Sequence, residues 1–213
     1  MLRPSDQEYK ITRLIKLGKN YIDPQFNAFA EWIHKKYLVQ ILNIYTDTLD
    51  NGTLRLQLIF EYEVDLGIFF LKDRFTSSKR IVNIIEKKYK ESYHLTNSQP
   101  VLVLFYAFEP LAKEEANTKI SLATITSIEE KYENVLWKIA RFGEHVTFFF
   151  NTNAQLKKAK QSGLTVQLKQ EYFEILKHFD EFDYFTLSNF NAVFDSKENF
   201  DKNYNSNWRA YYS

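Results

Sequence analysis

The strongest constraint on the fold is a hairpin pattern at about 38–64, within YLVQILNIYTDTLDNGTLRLQLIFEYEV. The dipeptide Asn51-Gly52 separates two strand-like runs, and it suits a tight turn in which both central residues have positive φ. In the second run every second residue from Leu54 to Tyr62 is apolar, whereas the residues between them are mostly polar. This alternation predicts an antiparallel hairpin with one face in the core and the other in water.

Five to six amphipathic helices are predicted along the chain. They lie near residues 24–37, 77–92, 127–142, 153–162, 165–180 and from 195 onward. Asp23 and Pro24 suit the start of the first helix, Thr126 and Glu129 form a capping box for the third, and Gly163 ends the fourth.

Further strands are predicted between these helices. The continuous apolar run PVLVLFYAFE at 100–109 indicates a buried central strand, and strands are also expected at 145–152 and 185–194. The polar stretch EPLAKEEANTK is interpreted as a loop, and ISLATI after it as a short strand.

A hairpin followed by strands interleaved with helices favours an α+β fold. We expect a single domain over 1–213, with a mostly antiparallel mixed sheet and helices on one or both faces. Two lobes divided near 93–100 are the alternative, although no Gly/Ser/Pro linker separates them. No internal repeat is visible in the sequence.

Composition excludes several kinds of active site. The five glycines lie at 18, 52, 67, 143 and 163, too far apart for a phosphate-binding loop, a dinucleotide fingerprint or a nucleophile elbow. Cysteine is absent, so disulfides and thiolate metal sites are excluded. The four histidines are widely separated and form no His-Glu-x-x-His motif. We therefore predict no cofactor and no metal site.

The net charge is +1 and is spread evenly along the chain. Neither nucleic acid nor an anionic membrane is therefore the expected partner. No apolar run is long enough for a membrane span, and no apolar signal segment follows the first residues. With cysteine also absent, these features lead us to expect a cytoplasmic location.

One spacing suggests an enzyme. Asp183 is followed by Asp195-x-Lys197 at the end of a predicted strand, over about fifteen residues. This arrangement resembles the Asp…Asp/Glu-x-Lys pattern of restriction-endonuclease-like nucleases. The resemblance implies that Asp183 and Asp195 hold Mg²⁺ and that Lys197 stabilises charge near the attacking water. The favoured interpretation is structural: Asp195 caps a short helix with Glu198 three residues later, and Lys197 points into solvent.

A basic helix provides a second alternative, nucleic-acid binding. Lys79, Arg80, Lys87 and Lys90 cluster on one side of the predicted 77–92 helix, with Arg74 just before it. Such a face can follow a row of phosphates. A solvated outer face on a lysine-rich protein is the favoured explanation.

Recognition through an exposed surface is the function class that remains. Trp208, Tyr211 and Tyr212 are candidate partner-binding residues, because exposed aromatic side chains often anchor interfaces. The prediction is a non-enzymatic protein-interaction module, similar in general character to bacterial toxin-neutralising immunity proteins or other accessory proteins. Its protein partner would contact the hairpin face or these three residues. Packing of the three rings on a sheet is nevertheless the favoured interpretation of these residues, and a homo-oligomer stays open.

Overall fold

The computed structural model describes residues 2–73 and 75–212, and in these residues the predicted α+β class is confirmed. The described strands form two three-stranded sheets instead of one larger sheet. The chain divides into two compact units, residues 1–110 and residues 111–213, and each unit contains one sheet. This boundary lies C-terminal of the 93–100 region. The single domain over 1–213 stays a prediction.

The first unit is built around a sheet whose central strand is β2. Its elements in chain order are α1 (Gln7–Lys16), a 3₁₀ turn (Pro24–Phe26), α2 (Asn27–Tyr37), β1 (Ile41–Thr48), β2 (Leu54–Phe60), a 3₁₀ helix (Glu63–Ile68), α3 (Lys79–Ser92) and β3 (Val101–Ala107). Strand β2 is antiparallel to β1 and parallel to β3. The strand expected at 100–109 is therefore an edge strand of its sheet, and the prediction that it is central is wrong.

The predicted hairpin is confirmed, but its turn has a different conformation. Of the two central residues only Gly52 has a positive φ, 79°. The Gly52 N–H donates to the carbonyl of Leu49 at 2.8 Å, and the Leu49 N–H donates to the carbonyl of Thr53 at 2.9 Å. These bonds describe a three-residue loop that ends in a left-handed glycine, which is another common hairpin connection.

The expectation that one hairpin face is in water is wrong, because α1 covers it. Gln57 is only 1% exposed, and its Nε2 donates to Glu8 Oε1 of α1 at 2.8 Å. Asn43 Nδ2 of β1 donates to Thr12 Oγ1 of α1 at 2.9 Å. The polar residues of the strands therefore bond to polar residues of a helix, and the sheet is covered on both faces.

The second unit has its own sheet, with β5 in the centre. The chain continues with α4 (Phe108–Lys119), α5 (Leu122–Lys131), β4 (Leu136–Phe142), β5 (His145–Phe150), α6 (Asn153–Ser162), α7 (Leu164–Lys177), β6 (Ala192–Ser196), α8 (Lys197–Tyr204) and α9 (Trp208–Tyr211). Strand β5 is antiparallel to β4 and parallel to β6. The predicted helix ending at Gly163 is confirmed, and Gly163 has a φ of 80°. The expected strand at 185–194 is shorter and lies at 192–196.

Residues 108–142 differ most from the sequence predictions. The expected polar loop is α4, the last four residues of the expected strand ISLATI begin α5, and the expected helix at 127–142 ends at Lys131. Ser121, not Thr126, caps α5 by accepting from the Thr124 N–H at 3.1 Å. Glu129 accepts instead from the Ile139 N–H of β4 at 2.7 Å.

A β-bulge explains why β4 resembled a helix in the sequence. The pairing of β4 with β5 shifts between Leu136 and Lys138. Because the bulge inserts one extra residue, Leu136 and Ile139 are three positions apart and yet both are buried in the same core. A spacing of three is also the spacing of a helical face, so the pattern was ambiguous.

The two units share one topology although no repeat is visible in the sequence. Each has a hairpin, then helical structure, then a third strand parallel to the second strand of the hairpin. In both units the first residue of the third strand pairs at the start of the central strand, Val101 with Leu54 and Ala192 with Val146. The helices that cover one face of each sheet come from different places in the chain. Helix α1 precedes the first sheet, whereas α8 and α9 follow the second sheet.

Candidate functional site

The predicted partner-binding residues Trp208, Tyr211 and Tyr212 are half-buried on the second sheet. The Trp208 ring stacks on Trp137 of β4, with centroids 6.1 Å apart and planes within 6°, and lies 4.3 Å from Phe200 of α8. Tyr212 stacks on Phe142 at 4.8 Å. We call residues 197–212 the aromatic cover, because their rings lie over one face of this sheet. A binding role for the three residues stays a prediction.

Asp195 fixes the aromatic cover to the sheet. Its carboxylate accepts from the Tyr211 hydroxyl at 2.8 Å and from Asn199 Nδ2 at 3.0 Å. The pKa of Tyr211 is raised well above its usual range, mainly by burial and to a lesser extent by the hydrogen bond to Asp195. The prediction that Asp195 caps a short helix is wrong, because Ser196 is the N-cap of α8 and accepts from the Asn199 N–H at 2.9 Å.

The residues of the nuclease-like spacing have separate partners. Asp183 forms an ion pair with Lys177, and Lys197 forms one with Asp201 at 2.6 Å. Strand β6 ends at Ser196 and Lys197 begins α8, so Asp195 and Lys197 do not share the face of one strand. Among residues 2–73 and 75–212, no group of three or more His, Asp or Glu side chains is arranged to hold a metal ion.

The basic face of α3 carries acidic neighbours along the helix. Lys90 pairs with Glu86 at 2.7 Å, and Lys87 lies 3.9 Å from Glu91. Lys79 and Arg80 are exposed at the start of the helix, and Arg74 lies outside the described residues. The i,i+4 pairs reduce the positive charge that this face presents to a phosphate backbone.

An exposed apolar segment between β2 and α3 was missed from the sequence. Residues 62–73 with Phe75, here called the exposed segment, contain five large apolar side chains that are open to solvent: Tyr62, Val64, Ile68, Leu71 and Phe75. Phe75 is 90% exposed and Val64 is 81% exposed. The run EYEVDLGIFFLKDRF has neither strand nor helix periodicity, and that lack of a core-facing pattern is the signal that could have identified it.

The exposed segment is anchored by one buried ring. Phe69 is fully buried and stacks on Phe60 at 4.8 Å and on Phe105 at 4.6 Å. The Tyr37 ring contacts Phe69 edge-on at 5.4 Å. Because the anchor belongs to the core of the first unit, the neighbouring exposed side chains are held at a defined place on its surface.

Backbone bonds also shape the tip of this segment. Phe70 and Ser77 form an antiparallel bridge, and the Leu71 N–H donates to the carbonyl of Thr76 at 2.8 Å. The Asp73 carboxylate accepts from the backbone N–H groups of Phe75 and Thr76, each at 2.9 Å. These bonds hold the pKa of Asp73 below its usual value. The tip that presents Phe75 is thus preorganised by its own hydrogen bonds.

A groove of about 450 Å³ lies beside the apolar residues. It is lined by Glu63, Val64, Leu66, Gly67 and Phe70. Its lining includes the carboxylate of Glu63. Close by, the pKa of Tyr62 is raised by its hydrogen bond to Glu61 and by the negative charges of Glu61, Glu109 and Asp65. The site therefore combines an apolar groove with a negative field.

No family model matches the chain, and no curated protein or solved structure is significantly similar to it. In the described part of the chain, no helix is both long enough and apolar enough to cross a membrane.

Proposed function

We propose that this protein is a non-enzymatic protein-interaction module that binds a protein partner through the exposed segment. The observation that carries the proposal is the exposure of Val64 and Phe75 together with three further large apolar side chains in one short stretch. Single exposed apolar residues are normal on a protein surface, but concentrated ones mark interaction sites.

The rigidity of the segment supports the same proposal. An apolar side chain that must be ordered on binding loses conformational freedom, which weakens the complex. Here Phe69 fixes the base of the segment in the core, and the Asp73 carboxylate fixes its tip. A loop that only connects β2 to α3 does not need an ordered apolar surface, whereas a binding surface does.

The surfaces expected from the sequence are less available for a partner. Helix α1 covers the polar face of the hairpin, and the rings of the aromatic cover pack on the second sheet. We therefore place the binding surface on the exposed segment. A role as an immunity or accessory protein in a bacterial cytoplasm stays part of the proposal.

The test is a double substitution that removes apolar surface and leaves the core intact. Val64→Ser with Phe75→Ser should leave the unfolding temperature nearly unchanged, because exposed side chains contribute little to stability. Affinity capture from native lysate should then lose specific proteins that the wild type retains. Val166→Ser is the matched control, since Val166 is 71% exposed on α7 of the other unit. Retention of the same proteins by all three chains would contradict the proposal.

The two alternatives from the sequence have direct tests of their own. Metal-dependent cleavage of nucleic acid that is lost in Asp195→Ala would favour the nuclease hypothesis. Salt-dependent retention on heparin would favour phosphate binding by α3.

A further inference from the structure

The acidic residues beside the exposed segment indicate which partner it can accept. Residues 61–75 contain four acidic and two basic residues, and three of the acids, Glu61, Glu63 and Asp65, lie at its start. Glu61 is paired with Lys16 at 2.5 Å. Among residues 2–73 and 75–212, no lysine or arginine lies within ion-pair distance of Glu63 or Asp65.

Glu63 occupies a defined position in the groove. It lines the groove together with Val64 and Phe70, so that a carboxylate and two apolar side chains face the same space. Asp65 belongs to the same 3₁₀ helix, two residues further on. The hydrogen bond to Glu61 and the negative charges of Glu61, Glu109 and Asp65 raise the pKa of Tyr62, so acidic groups lie close to this end of the segment.

We infer that the partner of the exposed segment is a basic amphipathic peptide segment, in which an apolar side chain enters the groove and a neighbouring lysine or arginine faces Glu63 and Asp65. This inference rests on the proposed function and adds the chemistry of the partner. Complementary charge steers the encounter and fixes the orientation of the bound chain, whereas the apolar contact supplies most of the affinity.

A lipid surface is the competing occupant of such an apolar tip. Bilayers that attract peripheral proteins by charge are anionic, and attraction requires clustered lysine or arginine on the protein. Residues 61–75 instead contain four acidic and two basic residues, a net charge of −2. The charge therefore favours a basic peptide over an anionic membrane.

The inference can be tested with a random peptide library displayed on phage and selected on the immobilised full chain. The selection should enrich peptides that bind the wild type and do not bind the double variant Val64→Ser, Phe75→Ser. We expect them to combine an aromatic or aliphatic residue with lysine or arginine. An enriched peptide, labelled and measured by fluorescence anisotropy, should bind Glu63→Gln with Asp65→Asn about three- to tenfold more weakly and with less salt dependence.

The control variant neutralises two acids elsewhere on the surface. Glu130→Gln with Glu133→Gln removes two exposed charges from the second unit and should leave the peptide affinity unchanged. Enriched peptides that are neutral or acidic would overturn the inference and leave the proposed function standing. Failure to find any peptide that depends on Val64 and Phe75 would overturn both.

Vesicles complete the test. The chain should not co-sediment with phosphatidylcholine vesicles that contain phosphatidylserine. Co-sedimentation that is lost in Phe75→Ser would overturn the inference in favour of a lipid surface.

Discussion

Replacing Trp208 with alanine should destabilise the second unit by about 2–3 kcal/mol. A tryptophan side chain buries roughly 200 Å² when it is fully covered. Trp208 is partly exposed and packs between Trp137, Phe149 and Phe200, and we take about two thirds of that area as removed from water. At about 25 cal/mol per Å², and after allowing for residual burial in the unfolded chain, the loss comes to this range.

The assay uses tryptophan fluorescence during urea unfolding. In a Trp32→Phe background the Trp208→Ala chain keeps only Trp137, which lies in the second unit and reports its unfolding alone. With a denaturant dependence of roughly 1 kcal/mol/M, the midpoint should fall by about 2–3 M. Val166→Ala, on an exposed position of the same unit, is the control and should change stability by less than about 0.5 kcal/mol.

An unchanged midpoint in Trp208→Ala would refute the reasoning. The aromatic cover would then contribute nothing to the stability of the sheet. Its rings would be available for the partner-binding role that the sequence suggested for them.

Three further outcomes are expected. Burial raises the pKa of Tyr211 in the folded chain. The contribution of Tyr211 to the free energy of unfolding should therefore be fully present below the unfolded tyrosine pKa near 10 and should be lost as the pH rises above it. Tyr211→Phe should reduce this loss when urea midpoints at pH 8 and pH 10.5 are compared. Leu38 is 84% exposed with a φ of 58°, so Leu38→Gly should stabilise the first unit by roughly 0.5–1 kcal/mol in thermal melts, whereas Leu38→Ala should not. Asp73→Ala should speed hydrogen exchange at the amides of Phe75 and Thr76 by more than tenfold without moving the melting temperature, and unchanged exchange would show that the carboxylate does not hold the tip.

Local pattern was sufficient where local interactions decide the structure. The hairpin near Gly52, the helix that ends at Gly163 and the helical turn that Asp23 caps ahead of α2 all depend on neighbours within a few residues. Each of these was predicted from the sequence. The α+β class followed from the order of such elements.

The failures arise where distant residues decide. The spacing of Leu136 and Ile139 fits a helix, and only the bulge formed by pairing with β5 makes them strand residues. Gln57 appeared solvated because its partner, Glu8, lies forty-nine positions away in the sequence. A polar residue opposite a core face can be exposed or hydrogen-bonded under a helix, and the strand pattern is the same in both cases.

The candidate site was the part least accessible from sequence. Aromatic residues were expected to mark it, but Trp208 and Tyr211 pack on their own sheet. Val64 and Phe75 are exposed instead, and apolar side chains of this kind are usually assigned to the core. Which of two apolar stretches reaches the core depends on the packing of the whole unit.

The order in which the sheets acquire their covers has a consequence for synthesis on the ribosome. Helix α1 emerges before the sheet that it covers, so the first unit can complete both faces as soon as β3 is available. In the second unit Trp137 and Phe149 stay uncovered until α8 and α9 emerge. We therefore expect the nascent second unit to expose an aromatic surface that chaperones can bind. The force from folding of the second unit, measured with an arrest peptide, should appear only after Tyr212 has left the exit tunnel.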